Sequence, residues 1–171
     1  MSFLELAKKR CSVRDFEPVK IEEEKISQIL EAGRIAPTAA NVQPQSFLVI
    51  NSDEGFERLK SIGFNTSATL VIIICGNSEN VWVRGIDGKS MLDVDTTIAA
   101  DHMMLAAEDL GLSSCWIGYF DPKIIRSTFN IPETIEPVNI LIIGYGKEKK
   151  SPDRHASDRK SIDSFVHYNI Y

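Results

Sequence analysis

The sequence predicts an α+β domain, a sheet flanked by helices, on three observations. Residues 69–75 form the β-branched run Thr-Leu-Val-Ile-Ile-Ile-Cys, bounded by Gly76 and Asn77, which reads as a central strand buried on both faces. Residues 94–111 place Ile98, Ala99, Met103, Ala106, Ala107 and Leu110 at helical spacing and stop at Gly111. Around these two segments helical and strand patterns alternate through 171 residues of 43% apolar content, enough for one domain with its own core.

The elements follow in chain order. Residues 2–9 and 22–33 read as helices; in the second, Ile26, Ile29 and Leu30 share a face and three glutamates, Glu22 to Glu24, suit the positive end of the helix dipole. Residues 46–51 read as a strand and 53–62 as a short helix. Residues 77–93, with Gly85 and Gly88, form the one long loop, a length that usually marks function or mobility. The alanines of the 94–111 helix predict close approach of a second helix. Residues 113–120 and 138–146 read as two further strands, separated by a helix near 123–129 that Pro122 opens and Pro132 follows. After Gly146 no period appears until an apolar cluster, Ile162, Phe165, Val166, Tyr168, Ile170 and Tyr171, at the very end. Such a segment needs cover, on its own core or on a partner.

Charge narrows the function. The chain carries a net −5, yet residues 1–14 and 147–160 hold ten of its nineteen basic residues and only four acids. Either these are two solvated ends, or folding brings them together as a cationic pocket for a small anion such as a phosphate. An acidic chain without an aromatic-studded basic stripe is not expected to bind nucleic acid. No apolar run approaches the roughly 20 residues of a membrane span, and the N-terminus lacks the pattern of a secretory signal, so the expected compartment is cytoplasmic. Cys11, Cys75 and Cys115 are scattered and odd in number, with neither disulfide nor metal spacing.

Five ordered blocks then resemble the FMN-dependent nitroreductase family: Arg10-Cys11-Ser12-Val13-Arg14; Ala36-Pro37-Thr38-Ala39-Ala40-Asn41-Val42-Gln43-Pro44; the Ala-rich helix ending Leu110-Gly111-Leu112; Cys115-Trp116-Ile117-Gly118; and Arg159-Lys160-Ser161-Ile162-Asp163 through Val166-His167-Tyr168. They span nearly the whole chain. The resemblance implies a three-layer fold with a central mixed sheet of about four to five strands, one FMN-binding domain over residues 1–171, and a homodimer with tightly bound FMN at the interface. Residues 147–171 would be an extension packed on the partner subunit.

The same resemblance implies the site. Arg10, Cys11, Ser12 and Arg14, read as two guanidinium forks and a hydroxyl within one turn, would hold the FMN phosphate, with Arg159 as the second wall. Pro37, Thr38, Asn41 and Gln43 would approach the flavin from the partner, the two amides both donating and accepting; taken alone, Asn41 and Gln43 read as a turn pair between prolines. Trp116, Ile117, Gly118 and Tyr119 would contact the ring, Gly118 allowing close backbone approach. NAD(P)H is implied as co-substrate and a nitroaromatic, quinone or similar acceptor as oxidant, in a ping-pong reaction. No side chain is needed as nucleophile, so no catalytic residue is assigned; His102 reads as packed or hydrogen-bonded and His167 as structural. Arg10 and Arg14 beside Cys11 predict a thiol open to oxidation. Ser157 stands where a second C-terminal cation is usual in the family. The 77–93 loop is too short for a helical lid, which leaves an open site partly covered by Trp82 and Arg84. Alternatives are an FMN-storage or sensing protein, a specialised branch acting in dehalogenation or flavin breakdown, and an interaction module without cofactor.

Overall fold

The computed structural model describes residues 1–171. Strands β1 (Gln45–Ile50), β2 (Leu70–Asn77), β3 (Ser113–Ile117) and β4 (Ile135–Gly144) form one sheet in the order β1-β2-β4-β3. The expected mixed sheet is antiparallel between all four strands; its one parallel pairing is an isolated bridge, Ser12 to Ser114.

β2 and β4 lie in the centre and are apolar on both faces, and the pleat sorts their side chains into two cores. Val71, Ile73 and Cys75 of β2, with Ile140 and Ile142 of β4, join Ile50, Leu59, Cys115 and Ile125 on one side. Leu70, Ile72, Ile74, Leu141 and Ile143 join Ile26, Ile29, Ala100, Met103 and Ala107 on the other. The first core is covered by α3 (Asp53–Ser61) and α5 (Pro122–Phe129), the second by α2 (Glu23–Arg34) and α4 (Leu92–Asp109). This is the expected three-layer arrangement.

Local chemistry fixes the helix ends. Ser2 caps α1 (Phe3–Lys9) in a reciprocal capping box with Glu5, Ser52 caps α3, and Asp121 caps α5 ahead of Pro122. α5 ends at Asn130 in the left-handed conformation, φ 53°. The helix that approaches α4 is α2: a Cβ on its Gly33 would meet Met103 Cε at 2.5 Å and Phe47 Cζ at 2.8 Å, so a larger residue there would have to displace these side chains. β4 begins three residues earlier than its apolar run, because a bulge opposite Ile74 and Cys75 accommodates Pro137, which has no N–H to give the ladder. β3 ends at Ile117, leaving Gly118 to Phe120 outside the sheet. No helix is long and apolar enough to cross a membrane.

The chain end does not pack on its own core. Residues 156–171 are exposed throughout, including Phe165, Tyr168, Ile170 and Tyr171. At the other end of the chain, Met1 and, on α1, Phe3 and Leu4 are exposed as well.

Candidate functional site

The two basic chain ends meet. Residues 11–16 run as an extended segment along β3: the N–H of Val13 donates to the Ser114 carbonyl at 3.0 Å, and Phe16 bridges to Gly146. Extended backbone alternates its side chains, so Cys11 and Val13 enter the core while Ser12 and Arg14 face solvent. The grouping of Arg10, Ser12 and Arg14 thus follows from a period of two, not from the single turn expected. Facing it is a 3-10 turn, Pro152–Ala156, capped by Ser151. Arg154 Nη2 donates to the Arg10 carbonyl at 2.6 Å, and His155 Nε2 lies 3.1 Å from the Lys8 carbonyl.

Between these segments lies a cleft of about 170 Å³ lined by Arg10, Cys11, Ser12, Arg14, Lys150, Arg154, Asp158 and Arg159. Five cations face one carboxylate there, and none of the five is in an ion pair. Uncompensated guanidinium groups around a hydroxyl suit an anion with several oxygens. Nearby, Lys147 closes the segment onto Asp15 at 3.1 Å, and this hydrogen bond holds the Asp15 carboxyl below its ordinary range.

Sequence reasoning placed Arg10, Cys11, Ser12, Arg14 and Arg159 in this cleft and missed Lys150 and Arg154, whose only signal was membership of the basic 147–160 stretch. Ser157 does not line the cleft, whereas Arg154, three residues earlier, does. Cys11 lines the cleft, but only 3% of the residue is exposed, so the expected oxidisable thiol is buried instead.

The other sequence-derived residues lie elsewhere. Pro37 and Thr38 lead into a 3-10 turn, Ala39–Asn41, and in this loop Ala40, Asn41 and, just past the turn, Gln43 have positive φ, 50°, 54° and 57°. For Ala and Gln this costs about 1–2 kcal/mol each. Within the loop Gln43 N–H donates to Thr38 Oγ1 at 3.0 Å and Gln43 Nε2 to the Asn41 carbonyl at 3.1 Å, and a tie to α4 is made by Ala39 N–H, which donates to Asp95 Oδ1 at 2.9 Å. Asp95 is a buried residue of the first turn of α4, and its Oδ2 has no partner. Its role was invisible in the sequence, where it reads as an ordinary N-terminal helix acid.

At the end of β3, Trp116 is half-buried and its Nε1 donates to Asn139 Oδ1 at 3.0 Å. Ile117 packs against the first core. Gly118 and Tyr119 are exposed, and a Cβ on Gly118 would meet nothing within 4 Å, so this backbone presents an open face. His102 Nδ1 lies 2.9 Å from the Ile98 carbonyl, a packed helical histidine as expected. Arg84 pairs with Asp87 and Arg126 with Glu133, which commits two of the loop and helix cations to neighbours. Within one chain the candidate residues therefore form three separate groups: the cationic cleft, the strained loop and the open end of β3.

A family profile described as "Putative TM nitroreductase" matches residues 3–171. The chain belongs to the nitroreductase family. A nitroreductase family protein of Clostridium difficile 630 is 44% identical and superimposes at a TM-score of 0.94 with all of both chains covered. An FMN-dependent nitroreductase of Clostridium difficile R20291 is 29% identical at 0.82, over 97% of this chain and 98% of that one. A Methanothermobacter thermautotrophicus protein named "Putative NADH dehydrogenase/NAD(P)H nitroreductase" is 30% identical over 86% of this chain and 79% of its own length. The nitroreductase assignment agrees with the five sequence blocks and with the layered sheet.

Proposed function

We propose that this nitroreductase-family chain is an FMN-dependent oxidoreductase that works as a homodimer, taking electrons from NAD(P)H and passing them to nitroaromatic, quinone or similar acceptors. The observation that carries the reading is the cationic cleft in which residues 10–14 and 150–159 converge. Its donor set fits a phosphate monoester: Arg10, Arg14, Arg154 and Arg159 offer planar forks, Lys150 a point charge and Ser12 a hydroxyl. These residues would hold the phosphate. Asn41 and Gln43 of a second copy would meet the polar side chain and pyrimidine edge, and the open backbone at Gly118 would lie along the ring.

When bound, FMN supplies two-electron chemistry, accepting a hydride and later yielding its electrons in a ping-pong cycle. The protein holds the phosphate end, presents amides to the ring edge and shapes the slot. Two observations support a partner: the strained loop lines no part of the cleft in one chain, and a tail with five large apolar residues exposed at 64% or more calls for cover. The loop of residues 78–91, pinned by a bridge between Val83 and Ser90 and leaving Ile86 exposed, is short enough to leave the slot open to acceptors of varied shape.

The test is anaerobic stopped-flow mixing of the purified, FMN-loaded protein with NADH and NADPH. Bleaching of the yellow absorbance within about a second supports an enzyme. Reduction that takes minutes with both nucleotides replaces this reading with flavin storage.

A further inference from the structure

Glu108 sits in the last turn of α4, where the helix dipole disfavours an acid, and its side chain is only 1% exposed. A carboxylate buried there requires cations and hydrogen bonds to offset its lost hydration. It has both. Lys149 Nζ donates to Glu108 Oε1 at 2.9 Å and Oε2 at 3.1 Å, and also to the Leu112 carbonyl at 3.3 Å. Lys9 Nζ stands 3.6 Å from Oε1. Lys9 is the residue before Arg10, and Lys149 the residue before Lys150. One carboxylate thus anchors both walls of the cationic cleft at the residues where each wall begins.

We infer that Glu108 is a positioning residue for phosphate recognition, setting the spacing of the Arg10–Arg14 and Lys150–Arg159 walls by holding Lys9 and Lys149. The physical need is clear: five cations gathered without ion pairs repel one another, and an internal counter-charge lets the walls approach while pairing with none of the guanidinium groups, of which Arg154 is held by the Arg10 and Ser151 carbonyls. This rests on the proposed flavin site and deepens it. Because Glu108 lies behind the cleft and not in it, its removal acts on the phosphate end and leaves the ring and side-chain contacts in place.

The test compares FMN with riboflavin, which lacks the phosphate, by fluorescence titration of the apo full-length protein. Wild type is expected to prefer FMN. In Glu108→Gln the FMN dissociation constant rises by about tenfold while that of riboflavin is unchanged, and amide exchange of residues 147–156 accelerates. Lys9→Met, which keeps Lys149 against Glu108 and so keeps the fold, shifts the same ratio by a smaller factor and serves if Glu108→Gln does not fold. A variant that keeps the wild-type preference for FMN, or loses both flavins by the same factor, overturns the inference. A wild-type protein that binds riboflavin as tightly as FMN overturns the phosphate site itself, and that result is visible before any variant is made.

Discussion

Asp95→Ala should separate the stability of this protein from the order of its strained loop. The substitution deletes the 2.9 Å hydrogen bond from Ala39, a loss of about 1–3 kcal/mol. It also removes Oδ2, a buried oxygen without a partner, whose desolvation costs the native state about as much. The two nearly cancel, so urea unfolding should shift by less than about 1 kcal/mol. The loop has no such compensation: Ala40 and Gln43 hold left-handed conformations worth about 3 kcal/mol together, and without the tie they relax. Amide exchange of residues 39–43 should accelerate and flavin affinity should fall by about two orders of magnitude. Asp95→Asn, which retains the acceptor, should keep both near wild type. A loss of more than about 3 kcal/mol of global stability in Asp95→Ala, or unchanged exchange in the loop, would mean that Asp95 does not act by holding the loop in its strained form.

Other outcomes follow from the same geometry. Cys11, Cys75 and Cys115 are buried, and burial pushes the Cys75 thiol up to about 11, so a thiol reagent at neutral pH should label none of the three in the folded protein and all three in denaturant. Asp15 and Glu22 are held below their ordinary values of 3.8 and 4.5, chiefly by hydrogen bonds from Lys147 and Tyr145 respectively. Depressed acids stabilise the fold above those ordinary values and lose that contribution as pH falls through the lower folded ones, so thermal stability should decline below about pH 4, and Tyr145→Phe should reduce the Glu22 part of that decline, leaving what Lys25 contributes. Deleting residues 162–171 removes side chains that touch none of the core, so the domain should still fold, while gel filtration should show loss of the dimer and the flavin.

What the sequence carried, and what it did not, divides along physical lines. β2 and α4 were legible because burial on both faces and helical periodicity leave marks in residue order. The end of the chain was not settled in this way: its apolar cluster called for cover, and within one chain Phe165, Tyr168 and Tyr171 stand exposed. The pairing direction of the strands was not legible: the family resemblance implied a mixed sheet, and only the paired registers show it to be antiparallel. Pro137 hid the start of β4, because a proline in a strand argues against one unless a bulge takes it. In the site, the spacing of Arg10, Ser12 and Arg14 pointed to the cleft, although the backbone that aligns them is extended. Asp95 and Glu108 were missed for a common reason: a buried acid and a solvated acid on a helix look alike in sequence, and only the groups facing them tell them apart.

In the proposed site both chain ends hold the phosphate of one flavin and a second copy completes the cavity. In sedimentation velocity of the purified protein, recorded at a flavin absorbance wavelength, FMN should move with a species of twice 19.1 kDa at one flavin per chain, and Arg14→Ala should release most of it. A protein that sediments as a single chain and leaves FMN at the meniscus would rule out such a shared site.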